Sequence, residues 1–372
     1  MIKTSDVLVI GGGLHGLSAA LQLARDGARV RLLERETIGR HASGVNAGGV
    51  RRLGRHTAEI PLSEAALAMW RKLPELVGDD CGFKPSGQIK IAESEADLDL
   101  LKARAEEVRG LGYEHEVIID QASLRELIPA VAEHCTGAIL VRGDGFANPY
   151  RTCIAFRRAA LRAGVVIDEG VAVEGLERDG EVWRVRTSGG EYQAPEVVNC
   201  AGAWGAVLAG QLGEPVPVRA AAYMMMVTEP VPRFVEPVVG LASRKLSLKQ
   251  MENGTVVIGG GFEGKPDTRT GKTALDVWGL AKSAGIASGV FPVLRKARLV
   301  RAWAGIDGEA ADKIPVIGRS LVHEGLTHAF GFSGHGFQLV PAVGRALADL
   351  IRTGQPGLPL LPFSPGRFDK AL

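Results

Sequence analysis

The sequence predicts a protein of two domains: an α/β domain built on a parallel sheet, and an α+β domain with a large, mostly antiparallel sheet. Three observations support this fold class. The 372 residues suffice for two domains at roughly 150 residues each. A β-α-β pattern occupies residues 6–34. Residues 216–319 are instead rich in strands and contain one helix, near Lys272–Ala284.

Composition and charge exclude several functions. The 44 Lys and Arg residues against 42 Asp and Glu leave a net charge of +2, which gives no field that would attract nucleic acid. The four cysteines lie far apart without a Cys-x-x-Cys pair, so we predict no zinc or iron–sulfur site and no bound metal. Neither a signal peptide nor a membrane span is evident, and we expect a reduced, cytoplasmic protein.

The β-α-β unit begins with a short apolar strand, Asp6–Ile10. A helix over Leu14–Asp26 and a second strand, Arg29–Glu34, follow it. Between the first strand and the helix lies a G-x-G-x-x-G pattern made of Gly11, Gly13 and Gly16. Strand, glycine turn, helix and terminal acid together are typical of a Rossmann-like dinucleotide-binding domain.

Each of these residues suits the binding of a dinucleotide. Gly11 makes the tight turn, Gly13 lets the backbone approach a pyrophosphate, and Gly16 lets helix and strand pack closely. The helix N-terminus supplies a partial positive charge to the phosphates. Glu34 would accept hydrogen bonds from a ribose diol and repel a 2′-phosphate. This unit alone does not distinguish NAD from FAD, because both contain ADP.

Two later features favour FAD. A run of small residues at positions 40–49 suits a backbone sleeve around an extended ligand, although it also fits a surface loop. Near the C-terminus a strand, Leu326–Phe332, leads through a second glycine-lined turn into a helix over Gln338–Arg352. A reduced flavin has an anionic edge that a helix N-terminus stabilises, and a nicotinamide has no such need.

Several motifs resemble those of the D-amino-acid oxidase superfamily of FAD-dependent oxidoreductases. The similarity covers nearly the whole chain and favours the branch of glycine oxidase, sarcosine oxidase (including the β-subunit type) and related secondary-amine oxidases. The motifs are Gly11–Gly16, Glu34-Arg35, Ala42-Ser43, Asn46–Gly49, Val197–Trp204 and Gly331–Phe337. The resemblance implies a GR2/DAO-type FAD-binding domain formed by residues 1–77, 141–216 and 320–372, with a substrate-binding domain formed by residues 78–140 and 217–319.

The resemblance also implies which residues bind the cofactor. They are Gly11, Gly13, Leu14, His15, Gly16, Glu34, Arg35, Ala42, Ser43, Ala47, Gly48, Gly49, Val173, Ala201, Gly202, Trp204, Gly305, Gly331, Ser333, Gly334, His335, Gly336, Phe337 and Gln338. Monomeric sarcosine oxidases attach FAD through a cysteine in the segment that matches residues 305–315. Since this segment contains no cysteine, we expect non-covalent FAD.

Four residues are candidates for the reacting centre. Arg51 follows the small-residue run and matches an arginine that helps to hold substrate in sarcosine oxidases; its planar fork suits a carboxylate. Arg301 lies on a strand that leads toward Gly305 and is a candidate for contact with substrate or flavin. Lys249 could assist oxygen chemistry or lie at the surface. His335 could act as a base or, as we favour, as a packing and hydrogen-bonding partner of the flavin.

We therefore predict FAD-dependent oxidation of the C–N bond of an amino acid by hydride transfer to flavin N5, followed by imine hydrolysis. The favoured substrate is a small secondary amine with one or more carboxylates, such as sarcosine, iminodiacetate, an opine or an imino acid. Electrons would pass to O2 or to a protein partner, and the chain could form homo- or hetero-oligomers. The alternatives are an FAD subunit of a hetero-oligomeric dehydrogenase, a 2-hydroxy-acid dehydrogenase of the same fold, and a non-catalytic FAD-binding protein.

Overall fold

The computed structural model describes residues 2–368 of the chain. Its strands, in chain order, are β1 Lys3–Thr4, β2 Val7–Ile10, β3 Val30–Glu34, β4 Gly49–Val50, β5 Gln88–Ala92, β6 Val117–Asp120, β7 Gly137–Val141, β8 Gly145–Phe146, β9 Val166–Glu169, β10 Val173–Asp179, β11 Val182–Thr187, β12 Gly190–Ala194, β13 Glu196–Asn199, β14 Val218–Thr228, β15 Val238–Leu241, β16 Ser247–Gln250, β17 Val256–Gly259, β18 Glu263–Asp267, β19 Lys272–Ala274, β20 Leu299–Ala310, β21 Val316–Arg319 and β22 Leu326–Phe330.

The α-helices are α1 Leu14–Arg25, α2 Ala42–Val45, α3 Ile60–Arg71, α4 Leu73–Val77, α5 Glu95–Gly110, α6 Gln121–Leu127, α7 Pro149–Arg162, α8 Gly205–Gln211, α9 Val277–Val290 and α10 Val340–Thr353. Within residues 2–368, none of them combines the length and the apolar character that crossing a bilayer requires.

A six-stranded sheet in the order β21-β22-β13-β2-β3-β9 forms the α/β part of the molecule. All neighbouring pairs in it are parallel except β21 with β22. The β2-α1-β3 unit lies within one residue of its predicted bounds. Helices α1 and α10 pack closely on one face, because Gly344 leaves room for Ser18: a Cβ there would lie 2.1 Å from the Ser18 hydroxyl oxygen.

A ten-stranded sheet forms the second part and is antiparallel in every neighbouring pair except β15 with β5. The predicted fold class, an α/β domain with an α+β domain containing a large antiparallel sheet, is confirmed. The helix predicted near Lys272–Ala284 is placed wrongly at its start, since residues 272–274 pair with β18 as β19. The helix begins at Val277, where the carboxylate of Asp276 accepts the Trp278 N–H at 3.1 Å and caps it.

The chain passes between the two sheets more than once. The six-stranded sheet takes strands from residues 7–34, 166–199 and 316–330, and the ten-stranded sheet takes strands from 88–141 and 218–310. This order resembles the predicted discontinuous domains, whose boundaries stay a prediction. Strand β21 lies before the predicted boundary at residue 320 yet pairs with β22 of the six-stranded sheet.

Candidate cofactor and substrate site

The carboxyl ends of β2, β3, β13 and β22 lie at one edge of the six-stranded sheet, since these strands are parallel. The N-terminal glycine bend leaves this edge with Gly11 at a φ of +108°. A Cβ on Gly16 would lie 2.0 Å from the carbonyl oxygen of Gly11, so glycine is required for this approach of α1 to the strand end. The N-terminus of α1, at Gly13, faces a cavity, where it can bind an anionic phosphate.

Glu34 ends the neighbouring strand β3 and its side chain is buried. Its carboxylate accepts the N–H groups of Gly12 at 2.7 Å and of Glu36 at 2.8 Å. Burial raises the pKa of Glu34, and these two hydrogen bonds act against that rise. Because a carboxylate offers about four lone-pair sites, ribose hydroxyls can still bind beside the two backbone donors.

A cavity of about 280 Å³ opens between these two features and the end of β13. An arginine–aromatic contact closes one side, with the Arg35 guanidinium 3.8 Å from the centroid of the Trp204 ring. The predicted cofactor residues that line this cavity are Gly11, Gly13, His15, Glu34, Arg35, Ala42, Ser43, Val173, Ala201, Gly202 and Trp204.

A second cavity, of about 440 Å³, adjoins the first and extends to the ten-stranded sheet. Both cavities are lined by His15, Ala42, Ser43 and Phe332, so they form one elongated space. The rings of His15 and Phe332 stack at 3.6 Å where the two cavities meet. The predicted cofactor residues that line the second cavity are Leu14, His15, Ala42, Ser43, Ala47, Gly48, Gly49, Gly305, Ser333, Gly334, His335, Gly336 and Phe337.

Three predicted cofactor residues line neither cavity. Gly16 packs against the strand end, and Gly331 has a φ of +72° at the start of the second bend. Gln338 is fully buried, where its amide N–H donates to the Ser63 carbonyl at 2.7 Å and its amide oxygen accepts from Arg55 at 3.2 Å. These three residues therefore lie at or beside the two glycine bends without lining the space between them.

Residues of the ten-stranded sheet hold the second glycine bend, which the sequence did not indicate. The carboxylate of Asp307, on β20, accepts the Gly334 N–H at 2.7 Å, and burial raises the pKa of Asp307 to about 6. The ring of Tyr223, on β14, packs on Gly334, where a Cβ would lie 2.9 Å from it. Both side chains also line the larger cavity.

Two cationic side chains line the larger cavity without an ion pair within residues 2–368: Arg51 and Lys90. Arg51 donates one hydrogen bond, to the Leu53 carbonyl, and Lys90 projects from the middle of β5. They lie close together, since a Cβ on Gly54 would be 2.6 Å from Nζ of Lys90 and 4.0 Å from Nη1 of Arg51. Burial lowers the pKa of both groups, and the charge of Arg51 lowers the pKa of Lys90 further. An anion bound between them would relieve this repulsion.

Two other arginines, Arg55 and Arg301, have different surroundings from Arg51. Arg55 is buried and donates to the His335 carbonyl at 2.8 Å, and its guanidinium lies 3.7 Å from the Glu59 carboxylate. Burial and the charge of Arg51 lower the pKa of Arg55 to about 10. Arg301 is exposed at the start of β20 and lines neither cavity, so the structure does not bring it to the others. The four residue steps from it to Gly305 separate them by about 13 Å along the strand.

His335 lines the larger cavity, and Lys249 lies behind the cavity wall at Gly48. Both ring nitrogens of His335 face oxygen atoms, of the Ser333 carbonyl at 2.9 Å and of the Glu59 carboxylate at 3.1 Å, which leaves neither free to take a proton from a substrate. Lys249 is buried directly behind Gly48, with Nζ 4.4 Å from the centroid of the Phe146 ring. Burial lowers the pKa of Lys249 to about 8.

These residues fit FAD. A glycine bend suited to phosphate and a carboxylate suited to ribose hydroxyls line one end of the elongated space, and a second bend that leads into α10 lines the other. Buried His15 Nδ1 has no hydrogen-bond partner within the described residues, so it is free to bond a ligand at the junction. Within the same residues, no group of three acidic, histidine or cysteine side chains could hold a metal ion.

Comparison with known proteins gives the family. The model of the DAO family, FAD dependent oxidoreductases, matches residues 6–350, and the chain belongs to that family. It is an FAD-dependent oxidoreductase, and its cofactor is FAD.

Individual relatives are similar over nearly their full length. The glycine oxidase of Geobacillus kaustophilus is 28% identical over 98% of this chain and 97% of that protein. One of the subunits of the opine oxidase of Rhizobium meliloti is 27% identical over 98% of both chains. The crystal structure of L-proline dehydrogenase from P. horikoshii superposes with a TM-score of 0.92 at 26% identity, over 100% of this chain and 99% of that one.

Proposed function

We propose that the protein oxidises the C–N bond of a small amino acid that carries a secondary amine and at least one carboxylate. The observation that carries this proposal is the pair Arg51 and Lys90, two partly buried cations that line the larger cavity. Neither forms an ion pair within 4 Å in residues 2–368, and Glu116 acts on both only at longer range. Charges withdrawn from water are normally paired, so an anionic ligand is expected between them. The relatives named glycine oxidase, opine oxidase and L-proline dehydrogenase support an amino-acid substrate.

FAD bound in this space would accept a hydride from the carbon beside the amine nitrogen, and water would then hydrolyse the resulting imine product. The chain has the remaining tasks of binding and orienting the substrate. Arg51 and Lys90 would hold the carboxylate, which fixes the rest of the molecule relative to the second glycine bend. Met224 and Met225, both nearly fully buried, form an apolar wall that excludes water.

Asp307 and Tyr223 would position the second bend. Asp307 holds the Gly334 N–H, and Tyr223 packs on the same glycine. Both come from the ten-stranded sheet, so the bend is held by the sheet that also carries Lys90. Cofactor and substrate would thus be aligned by one rigid element.

The test is an anaerobic titration of the FAD-loaded protein with secondary amino acids such as sarcosine, proline, iminodiacetate and an N-(carboxyalkyl) amino acid. We expect bleaching of the oxidised flavin band by at least one of them. The matched controls are the corresponding amines without a carboxylate and the corresponding 2-hydroxy acids. Reduction by these controls alone would contradict the proposal.

A second candidate function is that of the FAD subunit of a hetero-oligomeric dehydrogenase. The similarity to one of the subunits of an opine oxidase, over 98% of both chains, favours it. In this case the protein would be reduced by substrate yet form little hydrogen peroxide in air. The ratio of hydrogen peroxide formed to substrate oxidised distinguishes the two functions, because an oxidase forms one peroxide for each substrate molecule that it oxidises.

A further inference from the structure

Helix α9 is apolar on its outer face as well as its inner face. It contains one charged residue, Lys282, in 14 positions. Its inner face, with Ala287 and Val290, packs into the core of the ten-stranded sheet. On the outer face Val277 is 72% exposed and Trp278 is 79% exposed. A helix with a single charged residue is usually largely buried, so we expect another molecule to cover Val277 and Trp278.

The apolar exposure continues beyond the helix into the turn at Pro292–Lys296 and the first residues of β20. Leu294, Ala297 and Ala302 pack inward against the same core as α9. Six of the 18 exposed large apolar side chains of the described residues fall in this short stretch of the chain: Leu275, Val277, Trp278, Val293, Leu299 and Val300. This concentration along the chain distinguishes residues 275–300 from the isolated exposed apolar residues elsewhere.

The same stretch is strongly basic. Residues 277–306 contain no Asp or Glu. Its cations are exposed and form no side-chain ion pair within residues 2–368, although the Glu229 carboxylate accepts the backbone N–H of Arg298 at 3.1 Å; they are Lys282, Arg295, Lys296, Arg298 and Arg301. Because the whole chain has a net charge of only +2, the rest of the molecule is net negative. We call the exposed side chains of residues 277–301 the basic apolar surface.

Charge limits what can cover the basic apolar surface. A symmetric contact between two copies would place the five cations against an identical set, which is repulsive. A partner therefore has to be anionic and also able to take up Trp and aliphatic side chains. The cations are spread over a helix, a turn and a strand, which suits a lateral array of headgroups better than a single acidic group on a protein.

We propose that the basic apolar surface binds the face of an anionic lipid bilayer. Trp278 and its aliphatic neighbours enter the interfacial region, where Trp is favoured, and the Lys and Arg side chains bind lipid phosphates. This peripheral contact is independent of the proposed reaction. It also explains why Arg301, which lies on β20 at a distance from the cavity, is exposed at the exterior.

The experiment measures binding of the FAD-loaded protein to vesicles of phosphatidylcholine with and without phosphatidylglycerol. We expect binding at least about tenfold tighter to the anionic vesicles, weakening with salt because exposed charges are screened. All five tryptophans lie in the described residues and only Trp278 is exposed, so a blue shift of the fluorescence on binding reports its entry.

Variants test which residues of the basic apolar surface bind the vesicles. Lys296→Glu/Arg298→Glu should reduce binding to anionic vesicles about tenfold or more, and Trp278→Ala should remove the blue shift. The matched control is Arg109→Glu/Arg158→Glu, an equal charge change at exposed helix positions outside the surface. Reduction of the flavin by substrate should be unchanged in all three, which separates this inference from the proposed function.

Several outcomes would overturn the proposal. These are equal binding to neutral vesicles, equal loss in the control variant, or no binding to either vesicle. A dimer that Trp278→Ala dissociates would show that a second copy covers the surface. Competition by polyglutamate without a blue shift would indicate an acidic protein as the partner instead of a membrane.

Discussion

Arg51 and Lys90 are the residues on which the proposed substrate binding depends most. Arg51 was predicted from its place after the small-residue run. Lys90 was missed, although its strand offers a signal: in Gln88–Ala92 the residues on both sides of Lys90 are apolar and buried. A lysine in the middle of a strand that is covered on both faces is rarely without a function. The sequence alone could not show which cavity it faces.

Removing either cation should weaken substrate binding. We expect Arg51→Met and Lys90→Met each to raise the apparent Kd for a carboxylate-bearing substrate about 10- to 100-fold, since a charge-assisted hydrogen bond contributes about 1.5–3 kcal/mol. The dependence of anaerobic flavin reduction on substrate concentration measures this. Lys72→Met, at an exposed position, is the control. An unchanged Kd in Lys90→Met would remove Lys90 from the site.

Among the elements, α1 depends on one close contact. A Cβ on Gly16 would lie 2.0 Å from the Gly11 carbonyl oxygen, so Gly16→Ala should push α1 away from β2. We expect a loss of about 3 kcal/mol or more in the free energy of unfolding and a lower flavin content. The ratio of flavin to protein absorbance and urea unfolding measure both. Gly110→Ala, with no atom within 4 Å of the added Cβ, should change neither noticeably.

A second link between elements joins the loop after α8 to β22. The Glu214 carboxylate accepts hydrogen bonds from His328 Nε2 at 3.0 Å, the Leu321 N–H at 2.9 Å and the Ser320 hydroxyl at 2.5 Å. Partial burial raises the pKa of Glu214, but these hydrogen bonds outweigh it and lower the pKa to about 2. Since the folded pKa lies below the unfolded value near 4.5, the carboxylate stabilises the fold above pH 4.5 and loses this effect as pH falls toward 2.

Glu214→Gln should therefore lower the free energy of unfolding at pH 7 by about 1–2 kcal/mol, a value reduced for solvent screening. Between about pH 4.5 and pH 2.5 the variant should lose less additional stability than the parent, because it no longer titrates there. Urea midpoints at several pH values measure this. Glu181→Gln, at an exposed hairpin position, should follow the parent. A parallel pH profile for Glu214→Gln would contradict the assignment.

At the scale of the whole molecule, FAD would join segments that are far apart in the chain. The elongated space is lined by residues from 11–15, 42–49 and 332–337. A ligand that binds only the folded state stabilises it, by about 4 kcal/mol at about a thousand times its Kd. We expect Tm to fall by several degrees when FAD is removed and to recover when it is added back. NAD should have no effect, and an equal shift with NAD would contradict the choice of cofactor.

Local patterns predicted the parts of the fold that depend on local sequence. The β2-α1-β3 unit and the second bend follow from glycine spacing and apolar runs over a few residues. Arg301 was proposed for the site because it precedes Gly305, but the strand is extended and carries it out of reach. Asp307 and Tyr223 could not be assigned, since their contact with Gly334 depends on the pairing of β14 with β20 and on its approach to the bend. Such long-range contacts leave no local signal.

The two cations come from different parts of the chain: Arg51 directly follows β4, and Lys90 lies in β5 of the ten-stranded sheet. Neither part grafted alone onto another scaffold would carry both cations of the proposed carboxylate site. Exchanging the sheet that carries Lys90 should therefore change both the proposed substrate contact and the support of the second glycine bend, because Asp307 and Tyr223 lie in the same sheet. A chimaera of two relatives that is meant to transfer substrate selectivity should therefore take Arg51 and Lys90 from the same parent.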